Sequence, residues 1–397
     1  MKERRSLLNI VLDRFNSAKN YVKSKFRFLY GFNAVYTVVG DNIYDSNTVR
    51  QCIDAIATHS AKLMPKHTQN GVHIQGDINY LLSVQPNPIM VRYDFIYKII
   101  SNLYTDNNAF VFINYDKTGM IEGFYPVLAN TYEFLQTPNG NIYLQFNFVN
   151  GRDYILPYEE LIHLRRFYNK HEIFGEDNKI LVPAVETANT ANEGLANAIK
   201  ISTSLRGIIK YTQNLKDKDI KESRDSFVND FVNMENTSGI AAIDNRGDFK
   251  ELNVKPITLD KDQLKQVNNN IYDYFRTSEK IVRSDYTPEE WAAFYEAVIE
   301  PLSMYLSEVF STKIFNSYSI RVGGNKVVFT ANRLQYASLS NKISLLKEAG
   351  ALGILKKDEA REIIDLPALG GEEGEKLMQS LNMIDSKIAN QYQGGED

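Results

Sequence analysis

One cysteine, Cys52, serves a chain of 397 residues, so no intramolecular disulfide framework can hold it and a reducing compartment suits it. Long apolar runs are missing: no stretch reaches the roughly 18 residues needed to span a bilayer. The N-terminal stretch "SLLNIVLDRF" carries Asp13 and Arg14 and precedes no small-residue cleavage site, which argues against a secretory signal. No G-x-x-x-x-G-K-[ST] phosphate loop occurs; "GGNKVVFT" is the nearest text and has the wrong spacing. G-x-S-x-G, H-E-x-x-H and cysteine pairs are missing as well. The five histidines, His59, His67, His73, His163 and His171, show no i,i+4 pairing of the metal-ligand type. The expectation is a soluble protein made in the cytoplasm, with no catalytic residues, cofactor, metal or membrane contact.

What is present is an ordinary globular composition with an uneven charge. Hydrophobic residues make up 43% and charged residues 24%, enough for a substantial core and two or three substructures. The net charge is −4, yet residues 1–28 hold eight Lys/Arg against only Glu3 and Asp13, leaving an acidic body. A basic arm on an acidic body can contact nucleic acid or an acidic partner, or merely keep a terminal helix in solution.

Periodicity divides the chain. Residues 1–30 read as an amphipathic helix through Leu7, Leu8, Val11, Leu12 and Phe15. A second helix is predicted over 47–63, with Val49, Ile53, Ile56 and Ala57 inward, ending before Pro65. "SVQPNPIMVRYDFIYKII" places Pro86 and Pro88 before a helix with Tyr93, Ile96, Tyr97 and Ile100 on one stripe, so the prolines fix its direction. Hairpins follow around Lys117-Thr118-Gly119 and Pro138-Asn139-Gly140, and "GRDYILPYEELIHLRRF" closes one antiparallel module. From Pro183 the chain turns helical, with small polar residues. It continues as a compact module of strand "GIIKYT", helix "DIKESRDSFVNDFV" and strands "GIAAID" and "DFKELN", then a helix over 260–275. Thr287 should cap a long helix that starts at Pro288 with Glu289 and Glu290 in its first turn and kinks at Pro301. "SIRVGGNKVVFT" reads as a hairpin before a helical tail, and the Glu/Gly-rich end as loose.

Chemistry-bearing candidates are few. Within "ELIHLRRF", His163 reads as a satisfied structural histidine. Asp260, Asp262 and Asp273 could hold Mg²⁺ for a nuclease, but the first two lie where a helix dipole favours acids anyway. The 24 tyrosines and 21 phenylalanines sit mostly at strand or helix periodicity, which favours core packing over a base-stacking platform.

Five segments in one order resemble the portal proteins of tailed bacteriophages of the HK97 type: "QPNPIMVRYDF", "NAFVFINYDKTGMIEGFYPV", "EELIHLRRF", "YTPEEWAAFYEAVIEPLSMYLSEVF" and "LLKEAGALGILKKDEAREIIDLPALGGE". The chain departs from the family pattern at Asn107-Asn108-Ala109, where Gly-Asn-Ala is usual, and at Lys357-Asp358-Glu359. "SEKIVRSDYT" also lacks the family's proline.

The resemblance implies an α+β portal fold built as a ring oligomer, typically of twelve copies. A basic arm (1–29) would precede an α/β wing (30–183) and a first stem helix (184–206). A clip (207–258), a second stem helix (259–276) and a tunnel loop (277–287) would follow, then a long wing helix with hairpin (288–337) and a crown with flexible tail (338–397). It also implies a place at one capsid vertex of the virion, after assembly in the host cytoplasm. The implied role is a conduit for packaging and ejecting double-stranded DNA, bound non-specifically. Implied partners are the terminase large subunit, which supplies ATP hydrolysis, a head–tail adaptor, the major capsid protein and scaffold. Clip residues for docking would be Lys210, Lys218, Lys221, Arg224, Arg246 and Lys250. Tunnel-loop residues would be Ser278, Glu279, Lys280, Arg283 and Ser284. Lys280 and Arg283 either ring the channel with positive charge or pair locally with Glu279 and Asp285. The rival readings are another ring-forming head–tail connector, a Mg²⁺-dependent packaging nuclease, and a monomeric nucleic-acid-binding protein.

Overall fold

The computed structural model describes residues 27–28, 35–37, 43–148, 151–170, 173–202, 207–211, 218–222, 225, 247–251, 261–330, 339–364 and 366–377. Most of the basic arm and the last residues of the tail lie outside them. At the arm's end, Arg27–Phe28 forms a strand (β1) rather than the expected helix, because an antiparallel partner is available in the body.

The fold is mixed α and β, organised around a buried strand. β5 (Asn108–Tyr115) is buried at every position but its last, because it is covered on both faces. Alternation then sends successive side chains to different cores. Ala109, Val111 and Ile113 point into a helical core, whereas Phe110 and Phe112 point into a second core between two sheets. The helical side is supplied by α1 (Asn47–Ser60), α3 (Arg92–Asp106) and α8 (Glu300–Ile314). The sheet side is a meander of β7 (Thr131–Gln136), β8 (Ile142–Asn147) and β9 (Asp153–Pro157), with β1 and β2 (Val35–Thr37) on the free edge of β7. The hairpins fall where the turn residues predict, but they do not form one module. β10 (Leu161–Arg165) leaves the meander and pairs with β5, whose other neighbour is β6 (Ile121–Val127). Two sheets therefore pack face to face, with Phe110 against Tyr132 and Phe146 at ring distances of 4.7 and 5.6 Å.

The proline segment does more than aim α3. Asn87, between the prolines, is buried; its Nδ2 donates to the Phe124 carbonyl (2.8 Å) and its Oδ1 accepts from the Ile89 and Met90 amides (3.0 Å each). The Pro86 carbonyl accepts from the Phe124 amide at 2.9 Å, so the segment is pinned to β6. The face α3 buries is Phe95, Ile96, Ile99, Ile100 and Leu103. Tyr93 and Tyr97 from the expected stripe instead stack on each other at 6.4 Å, and the Tyr97 hydroxyl donates to Asp54 (2.7 Å). Both tyrosines lie a quarter-turn off the buried axis, where their polar ends reach water.

The long helix begins as expected. Thr287 caps α7 (Pro288–Phe294) with a full capping box to Glu290. In place of a simple proline kink, a π-turn spans Tyr295–Ile299 and α8 follows with Pro301 in its first turn. Proline has no N–H to give to the preceding turn, and the π-turn shifts the hydrogen-bond ladder so that the chain stays helical across the gap.

The expected hairpin over 319–330 does not form. Ser317–Arg321 is a short helix, α9, capped by Asn316 (Oδ1 from the Ser319 amide, 2.8 Å). β13 (Asn325–Thr330) pairs antiparallel with β3 (Met64–Gln69), which also carries β4 (Val72–His73); Pro65 fits in this short sheet. Gly324, at φ +64°, lies so near Asn70 that an added Cβ would overlap its Oδ1. The free edge of β13 is closed by serines of α8. The Val327 and Phe329 amides donate to Ser311 Oγ and Ser307 Oγ, both at 2.9 Å. At the far end, α10 (Leu339–Ala351), α11 (Lys357–Ile363) and α12 (Gly371–Gly374) form the described part of the helical tail.

Candidate functional site

Two helices leave the body side by side. α4 (Val182–Ser202) and α5 (Lys261–Tyr274) fall on the two segments expected to be stem helices, and they pack on each other. Between them lies an antiparallel pair, β11 (Gly207–Tyr211) with β12 (Gly247–Glu251). Residues 218–222 are helical, as the reading of that module expects, whereas its strand at 239–244 lies outside the described residues. Among the described residues, Val185, Ala188 and Ala198 are the buried positions on α4, and Ile271 on α5. Small side chains thus let the two backbones run close.

The pair is anchored by a polar joint. Asn178, 2% exposed, opens a 3₁₀ turn (Asn178–Leu181) that runs directly into α4. Its Nδ2 donates to the Tyr104 and Thr105 carbonyls at 3.3 and 2.5 Å, two of the carbonyls that the end of α3 leaves open. Its Oδ1 accepts from Asn107 Nδ2 (2.6 Å) and from the Tyr274 hydroxyl at the end of α5. Asn107 holds φ +55° as the C-cap of α3, a left-handed conformation that explains glycine at this place in the family pattern and that asparagine tolerates. Next to it, Asn108 Oδ1 accepts from the Gly175 amide (2.8 Å) and faces His163 Nε2 at 3.2 Å. His163 Nδ1 meets the Tyr158 hydroxyl at 3.1 Å, and burial holds the imidazole neutral. It is the satisfied structural histidine expected. Gly175 is required by close approach: a Cβ there would stand 2.2 Å from the Arg166 carbonyl.

The 277–287 segment is no open loop. Ser278 caps a helical turn, α6 (Glu279–Val282), by accepting from the Ile281 amide at 3.3 Å, and Ile281 is 3% exposed against the body. An apolar residue three places past a capping serine supplies both the turn and its anchor. Arg283 pairs with Glu279 at 2.8 Å, as one alternative expected. Lys280 pairs with Glu290 rather than Asp285, because the capping box brings that carboxylate alongside; the pair raises the lysine's pKa and lowers the glutamate's. Ser284 follows at φ +58°. Behind the segment, Tyr286 stacks on Trp291 (5.4 Å), which lies 4.4 Å from His59.

Of the basic residues expected in the clip, Lys218 and Lys221 are exposed and Lys218 lies 3.7 Å from Glu222. Lys210 stands in β11 opposite Asp248, and Lys250 in β12 opposite Ile208; Arg224 and Arg246 lie outside the described residues. The nuclease candidates do not converge. Asp262 and Asp273 stand at opposite ends of α5, about 16 Å apart along its axis, and Asp260 lies outside the described residues. Among the described residues no group of three or more His, Cys, Asp or Glu side chains could hold a metal ion, and no helix is long and apolar enough to cross a membrane. Sequence reading named Asn107 and Asn108 only as a departure from the family pattern, and missed Gly175 and Asn178. The available signal was an asparagine pair at the junction of a helix and a mostly apolar strand.

Comparison with known proteins fits this geometry. The probable portal protein of Lactococcus phage p2 is 24% identical over 245 residues, which span 59% of this chain and 61% of that protein. Among solved structures, the virion of a native gene transfer agent particle contains a chain with TM-score 0.60 and 15% identity, covering 90% of this chain and 99% of that one. The neck of the native particle, computed with C12 symmetry, gives 0.59 and 14%, covering 89% and 99%. At these identities the likeness is one of fold. A sequence model described as phage portal protein matches residues 47–365, from the start of α1 past the end of α11, and the chain belongs to that family.

Proposed function

We propose that copies of this chain form a ring at one vertex of a phage capsid, the conduit through which double-stranded DNA is packaged and ejected. The family match over 47–365 is the observation that carries the reading, since it takes in the helix pair, the excursion between its members and the interrupted helix in one order. The symmetry and virion setting of the gene transfer agent structures support a ring in a particle. The helix pair would line the channel, and the 207–258 excursion would dock the terminase large subunit and later a head–tail adaptor through Lys210, Lys218, Lys221, Arg224, Arg246 and Lys250. The body would face the major capsid protein and scaffold. A conduit must pass every sequence, so DNA contact is confined to phosphates and stays weak. Lys280 and Arg283 would meet phosphate by exchanging their carboxylate partners, Glu290 and Glu279. ATP hydrolysis is left to terminase, and no catalysis is assigned to this chain.

The test is direct imaging. Purified protein of 45.4 kDa per copy should give annular particles in negative stain and a light-scattering mass of roughly 0.5 MDa for twelve copies. A compact single subunit at high concentration, with no central opening, overturns the proposal.

A further inference from the structure

The joint at Asn178 is more specific than an anchor requires. From the turn into α4, one side-chain amide makes four directed hydrogen bonds to two other elements: three to the end of α3 and its cap, and one to the end of α5. The backbone around it is held against its own preference. Of the five non-glycine residues at positive φ among the described residues, three border the joint: Asn107 (+55°), Phe167 (+49°) and Arg276 (+52°). The Phe167 ring lies 5.3 Å from that of Tyr274, and its carbonyl accepts from the Glu176 amide at 3.1 Å. Arg166, whose guanidinium stands over the Tyr104 ring at 3.8 Å, also donates to Asn107 Oδ1 at 3.2 Å. Such conformations persist only where the surroundings over-determine them.

We propose that Asn178 is a positioning residue: by tying both helices of the pair to the end of α3 it sets their tilt on the body, and through that tilt the number of copies that close the ring. The inference rests on the ring reading above. Neighbouring copies in a closed ring of twelve differ by about 30°, and in a ring of thirteen by about 28°. A change of about 2° across two helix ends set about 9 Å apart is a slip of about 0.3 Å. Carried along α4, whose 21 residues span about 31 Å, it becomes about 1 Å at the far end. Apolar contact is non-directional and does not resist slips of a few tenths of an ångström. Hydrogen bonds confined to a range of about 0.5 Å do.

The experiment compares the full chain with Asn178→Leu, which keeps the branched outline of the side chain and removes all four bonds, and Tyr274→Phe, which removes only the hydroxyl from α5. Ser311→Ala, which weakens the fold at the edge of β13, serves as the control. Native mass spectrometry and class averages of negatively stained rings read the copy number. A single copy number is expected for the unmodified chain and for Ser311→Ala, and a broadened population, with neighbouring copy numbers above one ring in ten, for the two joint variants. Rings of the unmodified copy number alone in every folded joint variant overturn the proposal, as does equal broadening in Ser311→Ala. Should Asn178→Leu not fold, Tyr274→Phe decides alone. Absence of rings from the unmodified chain is a separate failure, that of the ring reading itself.

Discussion

Replacing Ser311 by alanine tests the closure of β13 by a helix. In the native chain the Val327 amide donates to Ser311 Oγ at 2.9 Å, while Val327 is 1% exposed and Ser311 itself is buried. The hydroxyl proton has its own acceptors, the Ser307 carbonyl at 2.6 Å and the Val327 carbonyl at 3.1 Å. Without Oγ the Val327 amide loses its acceptor at a place water does not reach. Leaving a buried donor unmet costs about 1–3 kcal/mol. Alanine recovers about 0.5 kcal/mol as the better helix former. The expected net loss is therefore about 0.5–2.5 kcal/mol, read as a shift of the urea midpoint with unchanged slope. Protein concentration must be fixed, because association adds to apparent stability. Ser307→Ala should behave alike through the Phe329 amide, also bonded at 2.9 Å. Exchange of amide hydrogens read by mass spectrometry should show faster exchange confined to 325–330. Thr312→Ala, on the exposed side of the same helix, should change stability by less than about 0.5 kcal/mol. A Ser311→Ala loss as small as that of Thr312→Ala, with exchange over 325–330 unaltered, would refute the claim that serines complete the strand edge.

Gly175→Ala forces a Cβ to 2.2 Å from one backbone carbonyl and 2.5 Å from another; a loss of about 2–4 kcal/mol in chemical denaturation is expected, and a neutral result would show that the chain there can move aside. His59 has its pKa lowered from about 6.5 to about 4, by burial first and by Lys62 second. A group whose folded pKa is depressed and whose neutral form is native gives its full stability above 6.5 and loses it as pH falls toward 4. His59→Phe, which suits the neighbouring Trp291 and Phe294 rings, should flatten the melting temperature over that range, and an equally steep acid loss in the variant would count against it. The remaining acid dependence should include His163, shifted the same way. The double variant Lys280→Ala/Arg283→Ala should lower the DNA retained by filled particles and make retention less sensitive to salt; unaltered retention would remove both residues from DNA contact.

The helices at 47–60 and 92–106 and the turns at Gly119 and Gly140 could be read from the chain because the forces that make them act between residues a few places apart. The cap at Thr287 and the structural role of His163 were legible for the same reason. The family pattern was legible as an order of such local signs. Contacts between distant segments were not. Nothing near 325–330 announces that its partner is 64–69, so a hairpin was expected where a helix and a strand stand. The alternating loyalties of Phe110 and Val111 depend on which layer covers each face of β5, which a run of apolar residues leaves open. Lys280 has acids nearby in sequence, yet its partner is the one that folding of the next helix brings alongside. Asn178 looks like any polar residue before a helix until α3, Asn107 and Tyr274 converge on it. Local propensity is written in the chain because its range is one turn or one hairpin; the joint exists only where three separate elements meet, and its hydrogen bonds have no counterpart in any single segment.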